Sequence, residues 1–166
     1  FEFKFENPER VIIPQEQGKY VFEVTKVVDA KYGLSTFVAE QAEIIWDRVR
    51  VHLEPYDKRV DIGVYVPIIT EATYEFDGQM MEGAVLLNDE PLNGSVGNYK
   101  FGATSVKDDK YGLSVFQSNE VEIIWDTVAV SLETENERVQ IGKQAQISSD
   151  LYYAYDGIPV NGTVSL

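Results

Sequence analysis

Residues 31–47 read KYGLSTFVAEQAEIIWD, and residues 110–126 read KYGLSVFQSNEVEIIWD. The two stretches lie 79 positions apart. The same offset links Tyr20 to Tyr99, Tyr32 to Tyr111, Trp46 to Trp125, Arg59 to Arg138, Asp77 to Asp156 and Leu87 to Leu166. A constant offset without insertion means that one unit is written twice. Most of the shared positions are aromatic, aliphatic, Gly or turn-forming Asp. Those are residues a fold needs rather than a reaction, so the chain is expected not to be an enzyme.

The hydrophobic phase around this stretch places the boundary between units. Ala42, Ile44 and Trp46 are spaced by two, and Val49, Val51 and Leu53 are spaced by two in the opposite phase. Copy two slips at the same place, where Val121, Ile123 and Trp125 give way to Val128, Val130 and Leu132. A slip of one residue turns a strand's buried face to the other side, so it marks either a bulge or the passage into a new unit. We read a boundary. On that frame residues 47–125 form one complete module, residues 1–46 the C-terminal half of another and residues 126–166 the N-terminal half of a third. The alternative frame divides the chain into 1–96 and 97–166.

Period-2 segments run along the rest of the chain. Phe1, Phe3 and Phe5 alternate with Glu2, Lys4 and Glu6, and Tyr20 and Phe22 recur as Tyr99 and Phe101. Gly33 and Gly112, in the KYGL loops, stand where a positive φ costs nothing. Val60 and Ile62, Tyr74 and Phe76, and Val85 and Leu87 mark further short strands, with Asp77-Gly78 and Asp156-Gly157 as turns. Six or seven short strands in about 80 residues predict an all-β chain of tandem immunoglobulin-like antiparallel β-sandwiches built on the 79-residue repeat. Trp46, Trp125, Tyr20, Tyr99, Tyr32 and Tyr111 are the expected structural core.

The chain has 166 residues, with 28 acidic against 14 basic side chains and a formal net charge of -14. That balance argues against nucleic acid or an anionic membrane as partner. There is no cysteine, which removes both a disulfide framework and thiolate metal ligands. No apolar run approaches the ~18 residues of a membrane span. A first residue that is Phe rather than Met reads as a processed or excised piece of a longer protein.

Few residues carry chemistry. The one histidine, His52, lies between Val51 and Leu53 on the outward side of a strand, and copy two has Ser131 there. A catalytic triad or a zinc site therefore lacks its parts. Calcium is the better chemical case, because it takes oxygens from Asp and from backbone carbonyls. Asp47 and Asp126 stand at the expected junctions, and Asp29, Asp108 and Asp109 lie in the neighbouring loops, from which they are expected to converge. Asn93 and Asn161 open N-x-S/T triplets at expected turns and are candidate glycosylation sites. Tyr152, Tyr153 and Tyr155 crowd one segment, where alternation sends Tyr153 and Tyr155 into the core rather than onto a carbohydrate-binding face.

YDGIPVNGTVSL (155–166), VGNYKF (96–101), DKYGLSVF (109–116) and VEIIWDTV (121–128) resemble the tandem Ig-like repeats of large archaeal cell-surface proteins, S-layer-like and adhesin-like ones included. The first copy departs at GQMMEGAVLL (78–87), which lacks the Pro and Thr of the second. The resemblance implies an extracellular, cell-surface role that is structural or adhesive, and brings no catalytic residue with it. The expected function is thus a non-catalytic structural module of a surface array or filament. Its partners are copies of itself or neighbouring modules, joined head to tail by strand complementation. The alternatives are a carbohydrate- or calcium-dependent adhesion module that binds glycans, and an ancillary domain of a large secreted enzyme.

Overall fold

The computed structural model describes residues 16–165, so the expected strand of Phe1, Phe3 and Phe5 lies outside the described residues. Among those described, the regular structure is all strand. The strands are β1 (Gly18–Phe22), β2 (Ala42–Trp46), β3 (Val49–Pro55), β4 (Arg59–Asp61), β5 (Ile68–Tyr74), β6 (Gly83–Leu87), β7 (Gly97–Asp108), β8 (Phe116–Ser118), β9 (Glu120–Asp126), β10 (Val128–Thr134) and β11 (Ile147–Tyr153). They form four sheets: a β1-β2 hairpin, a β10-β11 hairpin, a three-stranded sheet in the order β5-β3-β8 and a four-stranded sheet in the order β4-β9-β7-β6.

The phase slips in the sequence are changes of sheet. β2 pairs with β1, while β3, two residues further on, belongs to the three-stranded sheet; β9 belongs to the four-stranded sheet, while β10, one residue further on, pairs with β11. The three- and four-stranded sheets enclose a single core. Val49, Val51 and Leu53 of β3 and Ala72 of β5 meet Phe101 and Val106 of β7 and Val121, Ile123 and Trp125 of β9. Trp125 has no exposed surface, and its indole Nε1 donates to the Val64 carbonyl at 2.7 Å. Tyr99 and Phe101 pack edge-on or tilted against its ring at 5.7 and 5.9 Å between centroids.

Pairing is not purely antiparallel, contrary to the sequence expectation. β8 runs parallel to β3, and β4 runs parallel to β9. The cause lies in the connections. β4 follows β3 after only three residues but joins the other sheet, and β8 passes at Asn119 straight into β9 of the other sheet. Each edge strand therefore lies beside a strand of like direction. Asn119 fastens one crossing, accepting from Leu53 N at 2.8 Å and donating to Leu53 O at 2.9 Å. At Gly83 an added Cβ would stand 1.9 Å from the Lys107 carbonyl oxygen, with φ at +148°. Only glycine lets β6 approach β7 here, and copy two keeps a glycine, Gly162, at the matching position.

The repeat keeps its hairpin registers, Gly18 opposite Trp46 as Gly97 is opposite Trp125 and Val128 opposite Tyr153 as Val49 is opposite Tyr74, but not its burial. The counterparts of Val49, Val51 and Leu53, exposed by 0, 2 and 1%, are Val128, Val130 and Leu132 of β10, exposed by 44, 47 and 54%. The counterpart of fully buried Ile123 is Ile44, exposed by 47%. Residues 37–39 and 138–140, equivalent to β8 and β4, form no strand. In the middle of the chain these strands exist by lying along β3 and β9; at the ends the matching partner strand is not beside them. Strand formation here depends on a neighbour rather than on local propensity.

Candidate functional site

The features that repeat with side-chain chemistry intact are the junctions between units. At the junction of β9 and β10, Asp126 is buried. Its Oδ1 accepts from Thr127 N at 2.8 Å and Tyr155 N at 2.9 Å, and its Oδ2 faces Arg59 Nε at 3.7 Å. Arg59 is held on β4 beside Ile124 of β9, and it donates through a terminal amino group to Asp156. The guanidinium carbon lies 4.8 Å from the centre of the Tyr153 ring. One arginine thus ties the seven-stranded central unit to the β10-β11 hairpin. The Arg59 hydrogen bond holds the Asp156 carboxyl below its usual range, and that same bond raises the Arg59 pKa further.

The other junction carries the same cradle. Asp47 Oδ1 accepts from Arg48 N at 2.8 Å and Phe76 N at 3.0 Å, as Asp126 does from the residues 79 positions on. Asp77 Oδ1 accepts from Gln79 N at 3.0 Å, as Asp156 Oδ1 accepts from Ile158 N at 3.2 Å. Beside Asp47, copy one adds a pairing that copy two lacks. Arg48 and Arg50 both donate to Glu75, whose carboxyl is held down to about 2, first by the Arg48 hydrogen bond. Thr127, Ala129 and Ala154 stand at those positions in copy two.

The loop aspartates do not converge on the junctions. Asp108 is buried and takes four donors. The Tyr74 hydroxyl at 2.7 Å and Lys110 N at 3.1 Å reach Oδ1, and Tyr111 N at 3.2 Å and Leu113 N at 3.1 Å reach Oδ2. Burial pushes this carboxyl up, but the hydrogen bonds from Tyr74 and the loop amides outweigh it and hold the pKa below the ordinary value. Asp29 closes the equivalent loop on Lys31, Tyr32 and Leu34, in the open. Asp109 pairs with Lys107 at 3.0 Å. The expectation that Asp29, Asp108 and Asp109 gather with Asp47 or Asp126 around calcium is therefore corrected. Asp29 is turned to its own loop amides, Asp108 to its loop amides and the Tyr74 hydroxyl, and Asp109 to the Lys107 ammonium, and among the described residues no three His, Asp or Glu side chains group to hold a metal.

Tyr32 and Tyr111 are also corrected as core residues, being 71 and 62% exposed. The KYGL loop turns on Gly33 (φ 72°) and Gly112 (φ 71°) so that the ring lies outside the sheets; Tyr111 meets Tyr74 edge-on at 5.2 Å, with the Lys110 ammonium 4.9 Å away. Tyr20, Tyr99 and Trp46 are half-buried, with Tyr20 edge-on to Trp46 at 5.1 Å. Tyr155, read from alternation as core, is 41% exposed. Asn93 is half-buried and its Oδ1 accepts from Ser95 N at 3.0 Å, whereas Asn161 is exposed. His52 lies on the outward face of β3. The residue that sequence reasoning missed is Arg59. Its signal was its conservation of spacing with Arg138, alongside two aspartates that share the offset.

Among the described residues, two β-hairpins flank a two-sheet unit, with an arginine-carboxylate tie at one junction, and the fold is all-β. Comparison with protein-family models, with curated proteins and with solved structures returned no match.

Proposed function

We propose that the chain is a structural module of an extracellular surface array or filament, immunoglobulin-like in its complete central unit. It propagates by pairing the β10-β11 hairpin of one copy with the β1-β2 hairpin of the next. The observation that carries this reading is the burial contrast between the two copies of the repeat. β10 and β11 repeat the residues of β3 and β5, and β1 and β2 repeat those of β7 and β9, yet among the described residues neither hairpin has the sheet that covers its counterpart. Val128, Val130, Leu132 and Ile44 then face solvent where the same positions in the central unit are sealed. Joined across copies, the two hairpins supply the elements of one further unit. Such a contact uses different surfaces on its two sides, so it extends rather than closes.

Hydrophobic burial is the driving force, at about 25 cal/mol per Å² of apolar surface. Val130→Glu places a charge on the face to be covered, which cannot be buried without a partner. Sedimentation velocity should show the unaltered chain growing in size with concentration and Val130→Glu remaining a monomer. The melting of the central unit should be the same in both, because Val130 is half exposed in the single chain. A chain that stays monomeric throughout the concentration range would contradict the proposal.

A further inference from the structure

The cradle at the Asp47 junction repeats the one that holds Arg59, but the arginine that belongs in it lies elsewhere. In the central unit that arginine comes from β4, which lies along the edge of β9. Among the described residues the corresponding edge of β2 carries no strand, and β2 pairs there with β1 alone. The residue 79 positions after Arg59 is Arg138, and it takes part in none of the ion pairs among the described residues.

We propose that residues 138–143 of a second copy dock as a parallel strand along the free edge of β2, setting the Arg138 guanidinium on Asp47 and Asp77 beside Tyr74. This rests on the head-to-tail reading above and names the segment and the site that lock it.

Three observations carry the inference. The first is the backbone pattern. In the central unit Ile124 N donates to Lys58 O at 2.9 Å and Ile62 N to Asp126 O at 3.1 Å. By register the matching groups on β2 are Ile45 N and Asp47 O, and those on the docking segment are Glu137 O and Ile141 N. The Trp125 indole, which donates to Val64 O, has Trp46 as its counterpart, and the Lys143 carbonyl as the matching acceptor. A bare strand edge with unpaired amides and carbonyls is a template for another strand.

The second observation is that the docking segment already holds the required turn. Val64 N donates to Asp61 O at 3.2 Å, and Lys143 N donates to Gln140 O at 3.0 Å. Gly63 has φ 78° and Gly142 has φ 86°. A segment preformed in its bound shape loses little entropy on binding. Ile141 is fully exposed in the single chain, without an apolar neighbour to cover it.

The third observation is the receiving surface. A cavity of about 500 Å³ opens between the hairpin and the central unit, with Ile45, Asp47, Tyr74, Asp77 and Tyr111 in its lining. The Oδ1 atoms of Asp47 and Asp77 are taken by backbone amides, so each carboxylate keeps Oδ2 for a cation, as Asp126 and Asp156 do for Arg59. Two carboxylates fixed in this way suit the forked guanidinium better than an ammonium.

The test measures self-association of the full chain by sedimentation equilibrium. Arg138→Ala should weaken it about tenfold, and Asp77→Asn, which keeps the acceptor for Gln79 N, should weaken it comparably. The double variant should be little worse than either single variant, since both remove the same contact. Arg138→Lys should recover part of the loss. None of these should move the melting temperature, because Arg138 and Asp77 are exposed in the single chain. If Val130→Glu abolishes association while Arg138→Ala leaves it unchanged, the docking site is wrong and the head-to-tail reading stands. If the two single losses simply add, Arg138 does not meet Asp77 and the site is likewise wrong. If the unaltered chain never associates, both fall.

Discussion

Trp125→Ala should lower the stability of the central unit by about 3 to 5 kcal/mol, the range for truncating a buried large aromatic. The ring is sealed from solvent and lies between Tyr99 and Phe101, with β3 across the core. The substitution leaves a cavity that neighbouring strands cannot collapse into, because β4 and β7 fix β9 on both of its edges. It also leaves the Val64 carbonyl without its indole donor. A single domain holds only about 5 to 15 kcal/mol in reserve, so the unit should be close to unfolding at ordinary temperature. Chemical denaturation followed by circular dichroism reads the change in midpoint. Trp46→Ala is the comparison. The same residue type at the same repeat position is half-buried on an uncovered hairpin, and its loss should move the melt of the single chain far less.

The second large effect is expected at Asp108. Asp108→Ala removes the acceptor of a buried Tyr74 hydroxyl, and leaving one buried donor unpaired costs about 1 to 3 kcal/mol. The loop amides of Lys110, Tyr111 and Leu113 lose their closure as well, although they can turn to water. Asp29→Ala, in a loop open to solvent, should have a much smaller effect on the same melt.

The pair also sets how the unit responds to pH. The folded pKa of Asp108 lies below its unfolded value, so its contribution is present above the unfolded value of 3.8 and is lost as pH falls through the lower folded one. Tyr74 behaves in the opposite sense. Burial, and then the bond to Asp108, push its hydroxyl from 10.0 up to about 12, so its contribution is present below pH 10 and is lost as pH rises towards 12. Tyr74→Phe should flatten the alkaline limb of a stability-pH curve. Asp108→Asn should flatten the acid limb. An unchanged curve in both variants would mean that the bond does not form.

Several of these features are legible from residue order and others are not, for physical reasons. Period-2 alternation reports which face of a strand is apolar, so the phase slips near Asp47 and Asp126 and the strand character of β3, β9 and β10 can be read directly. The positive φ of Gly33 and Gly112 follows from the loop composition. Alternation cannot report whether a partner is present to cover that face. Val51 and Val130 therefore look identical in sequence, and they differ by a whole sheet in the structure. Residues 59–61 and 138–140 likewise share a pattern, and only the first has β9 to lie against. The Asp108 loop shows the same limit from another side. Residue order offers Asp108 as an oxygen donor without saying to what; in the structure it closes its own loop, and Tyr74, 34 positions away, is brought to it by tertiary packing. The exposed Tyr111 follows from that closure, since a loop tied down by its Asp turns its aromatic residue outward. The parallel placement of β4 and β8 is set by which sheet each connection enters, a property of the whole topology rather than of any window of sequence.

Pairing between copies has a direct covalent test. In the central unit Arg50 of β3 lies opposite Gln117 of β8 in parallel register, and the residues at the corresponding repeat positions are Ala129 and Val38. Neighbouring strands lie about 4.8 Å apart, within the reach of a disulfide. The chain has no cysteine of its own to interfere. The variant carrying both Ala129→Cys and Val38→Cys, oxidised at a concentration where the unaltered chain associates, should run on a non-reducing gel as a ladder in steps of 18.8 kDa. The ladder should collapse to one band on reduction, and neither single variant should extend beyond a dimer. A double variant that remains a monomer, with free thiols or with an internal disulfide, would contradict head-to-tail completion of the repeat.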